Sequence, residues 1–194
     1  MKKTLLEIRA KFFRWLHHPR MLNNIYINND GTHAKNTRFS STVNFVNRQN
    51  IILGDNIYIG NNVILDGTSS LFIENGCQIS ANVSILTHSS HISIRLFGEN
   101  YSECKGTKED GYVLGKVKIE KYTFIGTNAI IGPNVHIGKG CIVGANSYVN
   151  SNLPDYSIAY GTPAKIVGDS RRIDSEYLNK SQRFQEYYNE WNNE

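Results

Sequence analysis

The sequence predicts an all-β chain wound into a triangular parallel solenoid, with a short helix at each end and one loop thrown out of the coil. Three observations carry that reading. Ile119, Ile125, Ile131, Ile137, Val143 and Val149 put an aliphatic residue at every sixth position. Gly126, Gly132, Gly138 and Gly144 directly follow four of them. Thr123, Ala129, Val135, Cys141, Ser147 and Leu153, mostly small, hold the places four further on. A helix repeats every 3.6 residues and a strand alternates every 2, so neither period makes a six. A short strand and a tight corner do. One large side chain points inward per side, a small one fills the next inward place, and Gly is expected where the backbone turns sharply. Three sides close a coil, and coils stack by parallel strand pairing at about 4.8 Å, each covering the apolar face of the last.

The same phase runs upstream through Leu53-Gly54, Ile59-Gly60 and Leu65, with Ile57 and Val63 in the intervening inward slots. After a two-residue slip it resumes at Ile73, Ile79 and Ile85, with Cys77 and Val83 between them. Cys77 and Cys141 therefore read as core filler. With Cys104 they are odd in number and lack zinc or disulfide spacing, so reduced thiols and no metal role are expected.

The 194 residues, 40% hydrophobic, suffice for one core and so for one main domain with terminal appendages. The expected division is a helix over 1–20, the solenoid over 40–168 with its loop at 87–116, and a helical tail over 169–194. No apolar run approaches the roughly 18 to 20 residues that span a bilayer, and the N-terminus lacks a secretory cleavage pattern, so a cytoplasmic address is expected. The net charge of +4 arises largely at the ends, from residues such as Arg9, Lys11 and Arg20 and from Lys165, Arg171 and Arg172. That is too little for a nucleic-acid binder and suits a ligand with several phosphates.

At the N-terminus, Thr4 and Glu7 have capping-box spacing ahead of Leu5, Ile8, Phe12, Trp15 and Leu16, and the helix must stop at or before His18 because Pro19 follows. Its apolar face is expected to cap the open end of the prism; lying peripherally on an anionic membrane is the other use of such a helix. At the C-terminus, Asp174 is expected to cap a helix carrying the aromatic stripe Tyr177, Phe184, Tyr188 and Trp191, packed on the prism or on a neighbouring subunit.

Between Ile85 and Ile119 the period fails for a polar, charged stretch that must leave the prism. Long excursions from a compact scaffold tend to be functional, and this one opens with "LTHSSH", bearing His88 and His91. Imidazole, with a pKa near 6.5, can take a proton from a hydroxyl at neutral pH and return it to a leaving group. Asp66, in the corner "LDGT" one coil earlier, reads either as an orienting or substrate-contacting carboxylate or as a simple corner turn. His17, His18, His33 and His136 read as structural or surface residues.

From roughly Val43 to Val167 the pattern resembles the hexapeptide-repeat acyltransferases, whose fold is a left-handed parallel β-helix. Handedness comes from the resemblance alone, since parallel crossovers are otherwise right-handed. In the sugar and xenobiotic O-acetyltransferases of that family, a His just before such a loop deprotonates an acceptor hydroxyl as it attacks acetyl-CoA. His88 takes the matching place as catalytic residue, with His91, Asp66 and Arg95 as candidate substrate contacts. "GTPAK" resembles the family's G-x-P-A-K/R ending. The resemblance implies a coenzyme arm along Gly126-Thr127 and Gly144-Ala145, with Lys165 facing its phosphates and Arg171 and Arg172 near the ribose phosphate. Relatives carry a Lys before the Pro of the closing turn; here Ser151 and Asn152 stand there, which removes one cation, and Ser151 is kept as a cofactor contact.

The resemblance thus implies acetyl transfer from acetyl-CoA, without a metal, to a hydroxyl of a surface polysaccharide or its sugar precursor, in a homotrimer with sites between subunits. Four alternatives stay open: N-acetylation of a nucleotide-linked amino sugar, acetylation of an antibiotic, a three-histidine zinc site drawing on His136, and a non-catalytic scaffold.

Overall fold

Inward aliphatic side chains at every sixth residue set the winding seen in the computed structural model, which describes residues 2–16 and 18–192. His17 lies outside the described residues. Each coil lays one short strand on each of three sheets. The first sheet has eight strands: Met21–Asn23, Arg38–Ser40, Tyr58–Ile59, Gln78–Ile79, Phe124–Ile125, Ile142–Val143, Ser157–Gly161 and Ala164–Asp169. The second has five: Asn44–Val46, Ile64–Asp66, Ser84–Ile85, Ile130–Ile131 and Tyr148–Val149. The third has four: Ile51–Leu53, Leu71–Ile73, Val117–Ile119 and His136–Ile137. Neighbours pair in parallel except at the two ends of the first sheet. The aliphatic column stacks in register, Ile79 on Ile125 on Val143, Ile85 on Ile131 on Val149, and Ile73 on Ile119 on Ile137. All of these side chains are buried, and the small column from Thr123 to Leu153 is buried beside them. Burial pushes the thiol of Cys77 up to about 12 and that of Cys141 up to about 11, so both are inert filler.

The corners correct one expectation. The Gly after each aliphatic residue does not make the turn; the left-handed residue is mostly an Asn two places on, as at Asn62, Asn82, Asn128, Asn134 and Asn146. Asn tolerates that conformation better than most residues because its short side chain can bond locally. Here those side chains also stack, Asn128 donating to Asn146 at 3.2 Å and Asn62 to Asn82 at 3.3 Å. The Gly is required by the next coil: a Cβ on Gly126 would sit 2.6 Å from the Ala145 nitrogen, and one on Gly138 2.6 Å from the Asp155 nitrogen.

Helix α1, Lys2–Leu16, begins two residues before Thr4, so the expected capping box does not form. Nor does α1 cap the prism: Leu6, Ile8, Phe12, Phe13 and Trp15 stay between 49% and 65% exposed. The end is closed instead by the irregular segment that follows, whose Tyr26 is 1% exposed and packs edge-on to Phe39 at 6.2 Å and against Phe45 at 5.4 Å. With that aromatic plug in place the core has no face left for α1. No helix among the described residues is long and apolar enough to cross a membrane.

The loop that interrupts the third coil, between its second and third sides, is partly helical, with α2 at Ser93–Phe97 and a 3₁₀ turn at Gly98–Glu103. After the last strand the tail forms two helices, α3 at Ser170–Leu178 and α4 at Gln182–Asn192. Asp169, not Asp174, caps α3 by accepting the Arg171 N–H at 3.0 Å. The tail packs on its own prism, the Trp191 ring lying 4.6 Å from Tyr122 and 6.3 Å from Tyr156.

Candidate active site

The strand Ile64–Asp66 ends at the corner between the second and third sheets, and there Asp66 is 1% exposed. A buried carboxylate must be satisfied by donors, and this one is. Its Oδ1 accepts from the Thr68 N–H at 2.9 Å and hydroxyl at 2.6 Å. Its Oδ2 accepts from the Thr87 N–H at 2.8 Å and hydroxyl at 3.0 Å, and lies 2.7 Å from Nδ1 of His88. Burial works to raise the Asp66 pKa, but the bonds from Thr68, His88 and Thr87 outweigh it and hold the carboxyl down at about 2. An ionised carboxylate only accepts, so Nδ1 carries the proton of this contact and Nε2 is the nitrogen left to face a ligand.

Thr87 is where the chain leaves the coil, and its carbonyl accepts from the Gly115 N–H at 3.0 Å where the chain returns. Just outside, His88 and Ser89 pair antiparallel with Leu114 and Val113, which zips the neck of the loop. The ring of Tyr112 lies nearly parallel to that of His88, 7° between planes and 6.3 Å between centroids, and its hydroxyl meets that of Tyr101 at 2.7 Å. His88 therefore stands between a buried carboxylate below and an aromatic wall beside it, with 37% of its side chain exposed. A fixed imidazole with one free nitrogen at the edge of a loop can act as a general base.

The other candidates sit elsewhere. Asp66 has no surface for a substrate and spends both oxygens on Thr68, Thr87 and His88, which corrects its assignment as a substrate contact. His91 is exposed, its Nδ1 2.8 Å from the Ser89 hydroxyl, and exposed Arg95 donates to the His91 carbonyl. Gly126, Thr127, Gly144 and Ala145 stack at the corner between the first and second sheets. Lys165 belongs to a hairpin whose tip reaches the same corner, where the Thr162 hydroxyl donates to the Asn146 carbonyl at 3.2 Å. Ser151 shares the corner of His88. Arg171 and Arg172 open α3 at the third corner, and Arg171 is clamped on Asp169 and lies 4.7 Å over the Tyr156 ring. One chain thus spreads the expected coenzyme contacts over all three corners. His136 pairs with Glu120 at 2.8 Å on the outward face of the third sheet. Among the described residues, no group of three His, Cys, Asp or Glu side chains could hold a metal ion.

Sequence reasoning missed Thr68, Thr87, Tyr101 and Tyr112. Thr87 adjoins His88 and Thr68 follows the Asp-Gly corner, which are weak signals; the two tyrosines had none.

Known proteins share this repeat. A profile described as bacterial transferase hexapeptide (six repeats) matches residues 116–151. Over 105 residues the chain is 31% identical to a galactoside O-acetyltransferase of Lactococcus lactis, across 53% of this chain and 44% of that protein. A hexapeptide-repeat-containing acetyltransferase from Vibrio cholerae superposes with a TM-score of 0.58 at 26% identity, across 68% of this chain and 69% of that one. The chain carries the hexapeptide repeat and is similar to hexapeptide-repeat acetyltransferases. The same Vibrio cholerae acetyltransferase has been solved with acetyl coenzyme A, at a TM-score of 0.56 and 27% identity across 66% of this chain and 64% of that one. A further relative is a dTDP-3-amino-3,6-dideoxy-alpha-D-galactopyranose 3-N-acetyltransferase of Aneurinibacillus thermoaerophilus, 43% identical over 54 residues, 28% of each chain. The chain spans less than half the length of these two curated relatives.

Proposed function

We propose that the protein transfers acetyl from acetyl-CoA to a hydroxyl of a sugar, in a surface polysaccharide or its precursor, with His88 as general base. The observation that carries this reading is the 2.7 Å contact between Nδ1 of His88 and buried Asp66. Nε2 takes the proton from the acceptor hydroxyl as its oxygen attacks the thioester carbonyl. The tetrahedral intermediate collapses, expelling the coenzyme thiolate, which takes that proton back from the imidazolium. Asp66 holds the ring in the productive tautomer and balances its transient charge. Such a base is worth about 10² to 10⁴ in rate, or roughly 3 to 5 kcal/mol.

The prism winds left-handed and assembles as a homotrimer. The scatter of coenzyme candidates supports this arrangement, because a second copy must bring Gly126, Thr127, Gly144, Ala145 and Lys165 to the His88 of the first. Similarity to a sugar-nucleotide 3-N-acetyltransferase favours one other reading, an amine acceptor on a nucleotide-linked sugar. The test is free-thiol release with acetyl-CoA across sugars, oligosaccharides and nucleotide-linked amino sugars, run beside His88→Ala. Turnover on hydroxyl acceptors that His88→Ala loses is the expected result. Turnover confined to amines selects the second reading, and equal rates in mutant and parent remove His88 from its role.

A further inference from the structure

Far from His88, α3 and α4 stand off the first sheet and leave a cleft of about 490 Å³, within the range of small-molecule sites. Tyr122 and Phe124 of the prism form one wall, and Tyr177, Phe184, Tyr187 and Trp191 of the tail form the other. Tyr177, Phe184 and Tyr187 are each more than half exposed, although Lys180 and Arg183 each lie 5.4 Å over one of the two tyrosine rings. Asp174 is the one carboxylate in the lining, and Tyr188 bonds to it. No lysine or arginine is among the side chains that line the cleft.

We infer that this cleft is a carbohydrate-binding subsite that takes a short stretch of neutral glycan. A pyranose ring has C–H faces that lie on aromatic rings and equatorial hydroxyls that need partners at its edge. The cleft supplies both, ring faces from the two walls and edge partners from Asp174 and the phenols of Tyr177, Tyr187 and Tyr188. The cations nearby are already engaged on the rim, Lys180 over the Tyr177 ring and Arg183 over the Tyr187 ring, each at 5.4 Å. Burial and the nearby Asp169 charge push the Asp174 pKa up, and the binding experiment with choline separates an organic cation from a neutral glycan. The choice of a glycan as occupant rests on the sugar acceptor proposed above, whereas the cleft itself needs nothing from His88. Its use would be to hold a polymeric acceptor while another part of it reacts.

The chain has two tryptophans, so Trp15→Phe leaves Trp191 as the only indole and as a reporter inside the cleft. The experiment titrates Trp15→Phe protein, followed by Trp191 emission, with a panel of neutral tetrasaccharides, choline and coenzyme A. The expected result is a saturable change with at least one tetrasaccharide. It weakens about tenfold in Tyr187→Ala, less in Tyr187→Phe, and is unchanged in His88→Ala. No saturable response to any tetrasaccharide overturns the proposal. So does a response to choline or to coenzyme A alone, or one that follows protein concentration and so reports a second copy in the cleft. Glycan binding without thiol release sinks the reading at His88 alone, and thiol release without glycan binding sinks the cleft alone.

Discussion

Among the described residues, two carboxylate–imidazole pairs have nearly equal length, Asp66 with His88 at 2.7 Å and Glu120 with His136 at 2.8 Å. They differ in everything around them. Asp66 is buried and has only neutral donors besides the imidazole. Glu120 is partly open, and Lys118 holds it at 2.9 Å while also bridging to Glu74. His88 lies at the neck of the loop beside Tyr112, whereas His136 lies on a plain sheet face with half its side chain in water. A pair of this kind has chemical potential when its carboxylate is buried, spare of other cations and overhung by something that can hold a ligand. The second pair is ordinary surface electrostatics.

The largest expected effect breaks the comparison outright. His88→Ala should lower kcat by about 10² to 10⁴, and His136→Ala should leave it within about twofold. Free-thiol release by both variants measures this, and a similar loss in both would show that the pair's surroundings do not decide its role.

Asp66→Asn comes next. An amide can still accept from Thr68 or Thr87, but it no longer enforces the proton on Nδ1, and it cannot balance the imidazolium. By analogy with other orienting carboxylates, kcat should fall about 10²-fold or more while KM for acetyl-CoA holds. Glu120→Gln should change neither constant. A rise in KM with kcat intact would make Asp66 a purely structural residue.

How much of this could be read in advance follows from what repeats. The inward columns were legible because each buried slot recurs in one phase, Ile119 to Val149, and packing permits no other residue class there. The corner residue was misread, because the aliphatic–Gly pair looks like a turn when the Gly at 126 in fact yields space to Ala145 and the Asn at 128 makes the turn. The apolar stripe of α1 said that the helix needs a partner but not which one, and Tyr26, in a segment with no period, had already filled the place. His88 and Asp66 were each visible, one at the break in the repeat and one at a corner. Their bond was not, since they lie 22 residues apart and the alignment of coils alone joins them. Tyr112 and Tyr101 meet through a loop with no repeat, so nothing in their spacing announced them.

The third prediction concerns stability. A carboxyl held at about 2 in the folded chain and near 3.8 when unfolded contributes about 2 kcal/mol. Because the folded value is the lower one, this contribution is complete above about pH 4 and drains away as pH falls toward 2. Urea unfolding across that window should show the loss in the parent and its absence in Asp66→Asn. A parent whose stability stays flat from pH 4 to 2 would mean that the donors around Asp66 are not holding its charge.

The smallest effect sharpens the contrast from the other side. Glu120 is also held below its ordinary value, since bonds from Lys118 and His136 overcome its partial burial, but its partners are 39% and 49% exposed. Water and salt screen such pairs, and both partners give up side-chain freedom to hold one geometry. His136→Ala and Glu120→Gln should each shift stability by about 0.5 kcal/mol or less, and 0.5 M salt should erase most of the coupling between them in a double-mutant cycle. The Asp66–His88 coupling, with its carboxylate out of solvent, should survive the same salt. Equal salt sensitivity in the two cycles would mean that water reaches both carboxylates alike, and burial could not then be what sets the two imidazoles apart.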